Sequence, residues 1–384
     1  MNHIPPAAIP ESNPLQQDSR AAAGRRLMSI DALRGFDMFW IIGAEDIVHA
    51  LHKISHAGPA NLLAAQLTHK DWAGLAFYDT IFPLFVFIVG VSLVFSLGKT
   101  IEEQGRGAAY QRVLVRGMLL YGIGILYYGG FSTTWDHIRL LGVLQRIALC
   151  YFFAGLIFCT FRLRGMIACA AALLVGYWAM MTFVSVPGVG AGHFEEGKNL
   201  ANYVDQQYLP FRKWDGDHDP EGLLSTLPAI GTCLLGVFAG LLLRNQAVPN
   251  QRKVIFLVGA GSLCLLIGSL WGLQFPVIKK LWTSSYVLVV GGWSCLLLAA
   301  FYQVIEIWNW RKWAQPFVWI GMNALTIYLV HNIIELPKLA ERLVGGPIKT
   351  GFGSYGELLI TSVVLGLSLV FVHYLYRRKI FLRL

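Results

Sequence analysis

His69 and Asp79 stand ten residues apart in THKDWAGLAFYDTIFPLFVF (68–87), where a polar, charged cluster runs into an unbroken apolar segment. Histidine is the side chain whose ordinary pKa lies nearest neutrality, so it suits a general base or a nucleophile. His69 is the leading candidate because it sits just before an apolar span, close to Asp71 and Asp79. Asp79 is able to orient the imidazole if the span begins as a helix; otherwise it is free to contact a ligand. A third carboxylate, Glu45, lies in the apolar run SIDALRGFDMFWIIGAEDIVHAL together with Asp31 and Arg34. At 100° per residue these three share one face of a continuous helix, with Glu45 about 21 Å along the axis from Asp31. Asp31 and Arg34, three apart, are spaced to pair. Bare ions in hydrocarbon cost several kcal/mol, so this stripe is expected to line a protein-buried or watery path. Asp31 and Arg34 by themselves also fit a simple ion pair fixing a helix end.

Other polar groups recur at membrane depth. IRLLGVLQRIAL places Arg139 and Arg146 seven apart on one face with Gln145 beside the second, and GMNALTIYLVHNIIEL places Asn323 and His331 eight apart. A lone intramembrane histidine is commonly a helix-to-helix hydrogen-bonding group. Together these residues imply a cavity. Such a cavity serves either an enzyme, with His69 as base, or a proton-coupled transporter of small polar solutes, with Glu45, Asp79 and His331 as relays. No internal repeat between the two halves favours the transporter.

The elements that must hold these groups follow from composition. Of 384 residues, 55% are hydrophobic and 14% charged, where a soluble domain carries about a quarter charged. Mean hydropathy is +0.55. The fold class is therefore an all-α polytopic membrane bundle, because the apolar runs are about 20 residues long and not the shorter alternating segments of a barrel. Ten spans are expected at 30–50, 77–98, 113–130, 138–161, 166–186, 224–243, 254–274, 283–305, 317–336 and 356–376. Residues 1–27 read as a disordered cytoplasmic tail, and 28–384 as the membrane domain. Lys and Arg favour the loops on the side of the termini, which puts both termini in the cytoplasm and loops 51–76 and 187–222 outside. The net charge of +9 is largely this anchoring and calls for no nucleic acid. The 187–222 loop mixes aromatics, carboxylates and amides, a composition suited to a sugar-like ligand and equally to an ordinary solvated loop. Six cysteines lie in or beside apolar runs without paired or metal-ligand spacing, so neither disulfides nor a metal site is expected.

SIDALRGFDMFW and THKDWAGLAFYDTIFPLFVFIVGVSLVFS, followed by GVLQRIALCYF, DPEGLLSTLPAIGTCLLGVFAG, KKLWTSSYVLVVGG and GMNALTIYLVHN, resemble the heparan-alpha-glucosaminide N-acetyltransferase family from Arg26 onward. The resemblance implies a multispan enzyme that takes acetyl groups from cytosolic acetyl-CoA. It delivers them to the amine of glucosamine or a glucosaminide on the exterior side, here across a bacterial inner membrane. Its active-site pattern is reproduced by His69, Trp72, Gly74, Leu75, Asp79, Phe82 and Pro83, so the resemblance assigns the catalytic role to His69. Whether the imidazole carries the acetyl group or only removes a proton stays open. Glu45 stands where the human-type enzyme has a catalytic asparagine, a departure that replaces an amide donor by a carboxylate. The soluble amino-terminal domain of the animal enzymes has no counterpart, so the chain reads as the membrane core. Arg34, Asp31 and Arg146 are expected at the cofactor, with Arg112, Arg116 and Arg244 serving as membrane anchors or phosphate contacts. Asp71, Trp72, Asn323 and His331 are expected at the acceptor, and a homodimer is suggested by the resemblance alone.

Overall fold

The computed structural model describes residues 27–55, 58–130, 132 and 134–382. Of the expected tail, 1–27, only Leu27 lies within them. The helices in chain order are α1 (Met28–Phe39), α2 (Glu45–Ile54), α3 (Gly58–Gln66), α4 (Ile81–Tyr127), α5 (Val143–Thr160), α6 (Leu163–Phe183), α7 (Leu200–Tyr208) and α8 (Thr226–Arg244). There follow α9 (Asn250–Trp271), α10 (Ser284–Tyr302), α11 (Gln315–Met322), α12 (Ala324–Ile333), α13 (Leu336–Val344), α14 (Gly346–Gly351) and α15 (Gly356–Arg377). The described residues form no strand, only the isolated bridges Ala73–Ile278 and Val186–Gly190. Seven helical runs among them are long and apolar enough to cross a membrane: those built on α4, α5, α6, α8, α9, α10 and α15. The fold is a helical membrane bundle.

The longest helix covers two expected spans. Its 47 residues would reach about 70 Å if straight, more than twice a hydrocarbon core of about 30 Å. Gly105 breaks it with φ +83° and ψ 174°, a conformation open essentially to glycine. The second arm returns beside the first. Arg112 Nη1 donates to Thr100 Oγ1 at 3.0 Å, and Gly155 of α5 lies against both Leu97 and Val113.

The first expected span, 30–50, is interrupted. A π-helical turn, Trp40–Ala44, with Gly43 at φ +126°, separates α1 from α2. The single face computed for Asp31, Arg34 and Glu45 assumes continuous 100° steps, so it does not extend across this break. The expected span 317–336 is likewise two helices, α11 and α12, parted at Asn323 (φ −122°, ψ 23°). Where α1 crosses α11, Gly35 and Gly321 let the backbones touch: a Cβ at Gly35 would lie 1.7 Å from the Phe317 carbonyl. That approach brings Arg34 to the inner face of α11.

Helices α4, α8 and α10 are central, while α6, α9 and α15 are peripheral. Only 17% of the apolar window of α9 is buried, against 72% in α8. The outward apolar side chains suit lipid. Two non-helical segments close one end of the bundle. Gly74 N–H donates to the Val277 carbonyl at 2.9 Å, tying the 68–76 loop to the turn between α9 and α10. Trp72 Nε1 donates to the Phe194 carbonyl at 2.8 Å, tying it to the 187–222 loop, which carries α7.

Candidate active site

The site grows from the short 3-10 turn Phe77–Thr80 that opens α4. Asp79 is fully buried there. Its Oδ2 accepts backbone N–H groups from Ala76 at 3.0 Å and Lys70 at 3.3 Å, and its Oδ1 lies 2.8 Å from His69 Nδ1. An ionised carboxylate only accepts, so Nδ1 carries the proton and Nε2 keeps its lone pair. The Tyr286 hydroxyl donates to the Asp79 carbonyl at 2.6 Å, which fixes the turn from the α10 side. His69 is half-exposed, at the mouth of a cavity, with the Tyr78 ring 4.7 Å away centroid to centroid. The Tyr78 hydroxyl in turn hydrogen-bonds the Glu45 carboxylate, so Glu45 reaches the site through a tyrosine and from beyond the break in its helix.

Lys279, from the turn tied to Gly74, brings its Nζ to 3.0 Å from His69 Nε2, 2.9 Å from Nδ1 and 3.5 Å from Asp79 Oδ1. Burial draws its ammonium pKa below the ordinary lysine value, and the neighbouring Asp79, Glu221 and Glu45 oppose that shift. Imidazole, carboxylate and ammonium thus meet at one point.

The cavity has a volume of about 540 Å³. Its mouth is edged by His69, Lys279, Lys280, Trp214 and Glu221, and its walls are largely apolar, with Phe82, Phe85, Val89, Ile147 and Leu325 among them. At the far end Arg34 donates to Ser92 Oγ at 2.6 Å, to the Gly321 carbonyl at 3.2 Å and to Asp31 at 3.2 Å. Asp79, in the turn that opens α4, and Ser92, on its first arm, are thirteen residues apart, about 20 Å along the axis. The cavity therefore joins the His69 end of the bundle to an arginine well inside it. Arg116 also lines it, its guanidinium 4.7 Å above the Tyr151 ring.

A second charged group braces the mouth. Arg139 binds Asp219 through two nitrogens, at 2.9 and 2.7 Å, and Glu221 at 2.6 Å. Its guanidinium lies between the Tyr128 and Trp214 rings, 4.7 and 4.8 Å from their centroids. Burial raises the pKa of Glu221 against the pull of Arg146 and Arg139. Behind it, burial raises Asp205 to about 6, although Asp205 accepts N–H groups from Leu223 at 2.8 Å and Asp219 at 3.3 Å.

Of the residues singled out in the sequence, His69 and Arg34 line the cavity, while Asp79, Glu45 and Asp31 stand directly behind lining residues. Arg139 and Arg116 line it too, whereas Arg146, Trp72, Asp71, Asn323 and His331 are set apart from it. Arg146 is fully buried, stacked 4.9 Å from the Trp282 ring and bonded to the Gly222 carbonyl at 3.3 Å and to Ser225 Oγ. It holds the 222–225 turn, with Trp282 between it and the cavity. Trp72 is spent on the Phe194 carbonyl, and Asp71 is exposed in the loop. Asn323 is buried at the α11–α12 break, donating to the Trp319 carbonyl at 3.3 Å, and His331 is half-buried in α12. Conversely, Lys279, Tyr78, Trp214 and Glu221 are part of the site without having been picked out. Lys279 lies in KKLW, a segment that the sequence flags for resemblance only, whereas Trp214 and Glu221 lie in the 187–222 loop, whose composition suits a sugar-like ligand without singling out either residue.

Residues 26–270 match the family described as heparan-alpha-glucosaminide N-acetyltransferase, catalytic. The chain is similar to the heparan-alpha-glucosaminide N-acetyltransferase of Mus musculus, 26% identical over 98% of this chain and 63% of the relative. Similarity to the Homo sapiens protein of the same name is 27% over 96% of this chain and 62% of the relative. The chain thus spans somewhat under two thirds of the length of these relatives. The matched region holds His69, Asp79, Arg34 and Glu221, and the match exceeds half of the sequence. The chain belongs to the heparan-alpha-glucosaminide N-acetyltransferase catalytic family.

Proposed function

We propose that this protein is an acetyl-CoA-dependent N-acetyltransferase that acylates the amine of glucosamine or a glucosaminide. The observation that carries the reading is the His69–Asp79 pair at the mouth of a cavity whose far end is an arginine. Acetyl-CoA is too large and too charged to cross hydrocarbon. A cavity entered from the Arg34 end lets the thioester approach while the nucleotide stays on that side. Arg34 and Arg116 are the guanidinium groups placed to meet its phosphates.

The acceptor amine must be neutral to attack. His69 Nε2, left unprotonated by the Asp79 contact and freed as the Lys279 ammonium 3.0 Å away turns to the acetyl oxygen, takes the amine proton as the nitrogen bonds to the acetyl carbonyl carbon. Asp79 steadies the imidazolium that forms. The carbonyl oxygen becomes an oxyanion beside the Lys279 ammonium, which supplies the positive charge that Glu45 is unable to provide. The C–S bond then breaks, and CoA leaves as a thiolate that takes up a proton. That proton is the one His69 took from the amine, so neutral amine and thioester give the amide and the free thiol, and the imidazole is restored. Trp214 gives a face for a sugar ring, and Glu221 an acceptor for its hydroxyls.

The basic loops shared with the termini favour cytoplasmic termini, which sets the Arg34 end toward cytosolic acetyl-CoA and the His69 mouth outward. The test is direct. Protein purified in detergent should release CoA thiol from acetyl-CoA when glucosamine is added, and His69→Ala should abolish the release while eluting as a folded protein. Undiminished transfer by that variant would remove His69 from the mechanism.

A further inference from the structure

We propose that Glu196, Asp215 and His218, in the loop between α6 and α8, form a divalent metal site of the zinc type, separate from the acyl-transfer chemistry. The stretch HFEEGK (193–198) and the stretch WDGDHDPEG (214–222) meet beside the cavity mouth. Asp217 Oδ1 lies 2.6 Å from His218 Nδ1 and accepts its proton, which leaves Nε2 with a lone pair. A carboxylate behind the ring of a ligating histidine is the usual arrangement in metal sites, where it fixes the tautomer. His218 is only 4% exposed, and its Nε2 has no hydrogen-bond partner.

That lone pair points between two carboxylates, 3.5 Å from Glu196 Oε1 and 3.6 Å from Asp215 Oδ2. Three electron-rich atoms facing one another offer a seat for a cation. A tetrahedral ion with bonds of about 2.0–2.1 Å separates its ligand atoms by about 3.3 Å, near the two distances from His218 Nε2, and all three ligand atoms lie within 4.8 Å of one another. One imidazole nitrogen with two carboxylate oxygens is a zinc-type set that leaves a fourth position for water.

Lys280 competes for this position. Its Nζ lies 3.0 Å from Glu196 Oε1 and 2.9 Å from Asp215 Oδ2. One ammonium answers only one of the three carboxylates Glu196, Asp215 and Asp217, and it makes no bond to His218 Nε2. From that same position Lys280 Nζ is 5.8 Å from the Trp72 ring centroid, which gives the ammonium a face to move toward. A bound ion would displace it there and staple the two loop stretches together.

The test uses tag-free full-length protein in detergent, stripped with chelator and titrated with Zn²⁺ in equilibrium dialysis. Wild type should bind one equivalent. Glu196→Gln, a near-isosteric change at a side chain 46% exposed, should weaken binding about tenfold or more, as should His218→Ala. Asp217→Asn should cost about 10- to 100-fold, and Lys280→Ala should tighten binding. Zinc should raise the melting temperature of wild type but not of Glu196→Gln. Binding that is equal in wild type and Glu196→Gln, or no zinc bound by wild type, overturns the proposal. If His218→Ala fails to fold, Glu196→Gln decides.

Discussion

Lys279 Nζ lies 3.0 Å from Nε2 of His69, although 210 residues separate them in the chain. The contact is built by backbone. Gly74 N–H and the Val277 carbonyl, with the Ala73–Ile278 bridge, clamp the histidine loop to the lysine turn. A cation at that distance from the proposed base is close to any atom undergoing attack there.

Lys279→Met should therefore lower kcat by about 10²- to 10³-fold, the usual cost of losing one oxyanion partner, with a smaller change in KM. Lys279→Arg should recover part of the loss because it keeps the charge. Steady-state kinetics on both variants check this. A Met variant altered only in KM would make the lysine a binding group.

Asp79→Asn probes the tautomer. Ala76 and Lys70 N–H groups require an oxygen at the Oδ2 position, so the amide nitrogen must face His69. It then donates to Nδ1 and forces the proton onto Nε2, removing the base. A loss of about 10³- to 10⁴-fold in kcat is expected, as for the same inversion in a serine-protease triad. Circular dichroism should show the fold retained.

Arg34→Ala should raise KM for acetyl-CoA about 10- to 100-fold, the worth of one charge-assisted hydrogen bond, and leave KM for the sugar unchanged. Equal effects on both substrates would contradict entry of the thioester from the Arg34 end.

Asp205 lies outside the spans and carries a pH signature. Its folded pKa of about 6 lies above the ordinary 3.8, so the folded state binds its proton more tightly than the unfolded one. The corresponding stabilisation is full below about pH 4 and is lost as pH rises through about 6, at most about 3 kcal/mol. Relative to Asp205→Asn, wild type should lose thermal stability between pH 4 and 6.5 and change little above 7. Melting curves of the pair across that range provide the check.

Local spacing made some of the site legible. Asp31 and Arg34 pair because three residues within one helix bring side chains together wherever the helix goes. The His69–Asp79 pair was within reach because the loop between them is short. Lys279 was not legible, because its position depends on a loop-to-loop clamp that leaves no periodic signal. Glu45 belongs to the site for a reason other than the one its helical phase suggested, since Gly43 breaks the phase and Tyr78 makes the connection. Arg146 shows the converse: spacing gave it a place at membrane depth beside a cavity, and tertiary packing sets it behind Trp282 and on the Gly222–Ser225 turn.

The central claim is that the thioester and the amine meet inside the bundle from opposite ends. Proteoliposomes in which the protein is oriented one way, with acetyl-CoA only on the side of the termini and glucosamine only on the other, test this directly. The expected result is N-acetylglucosamine on the sugar side and CoA on the other, in equal amounts. Product formed only when both substrates share a side, or intact sugar crossing without CoA release, would contradict it.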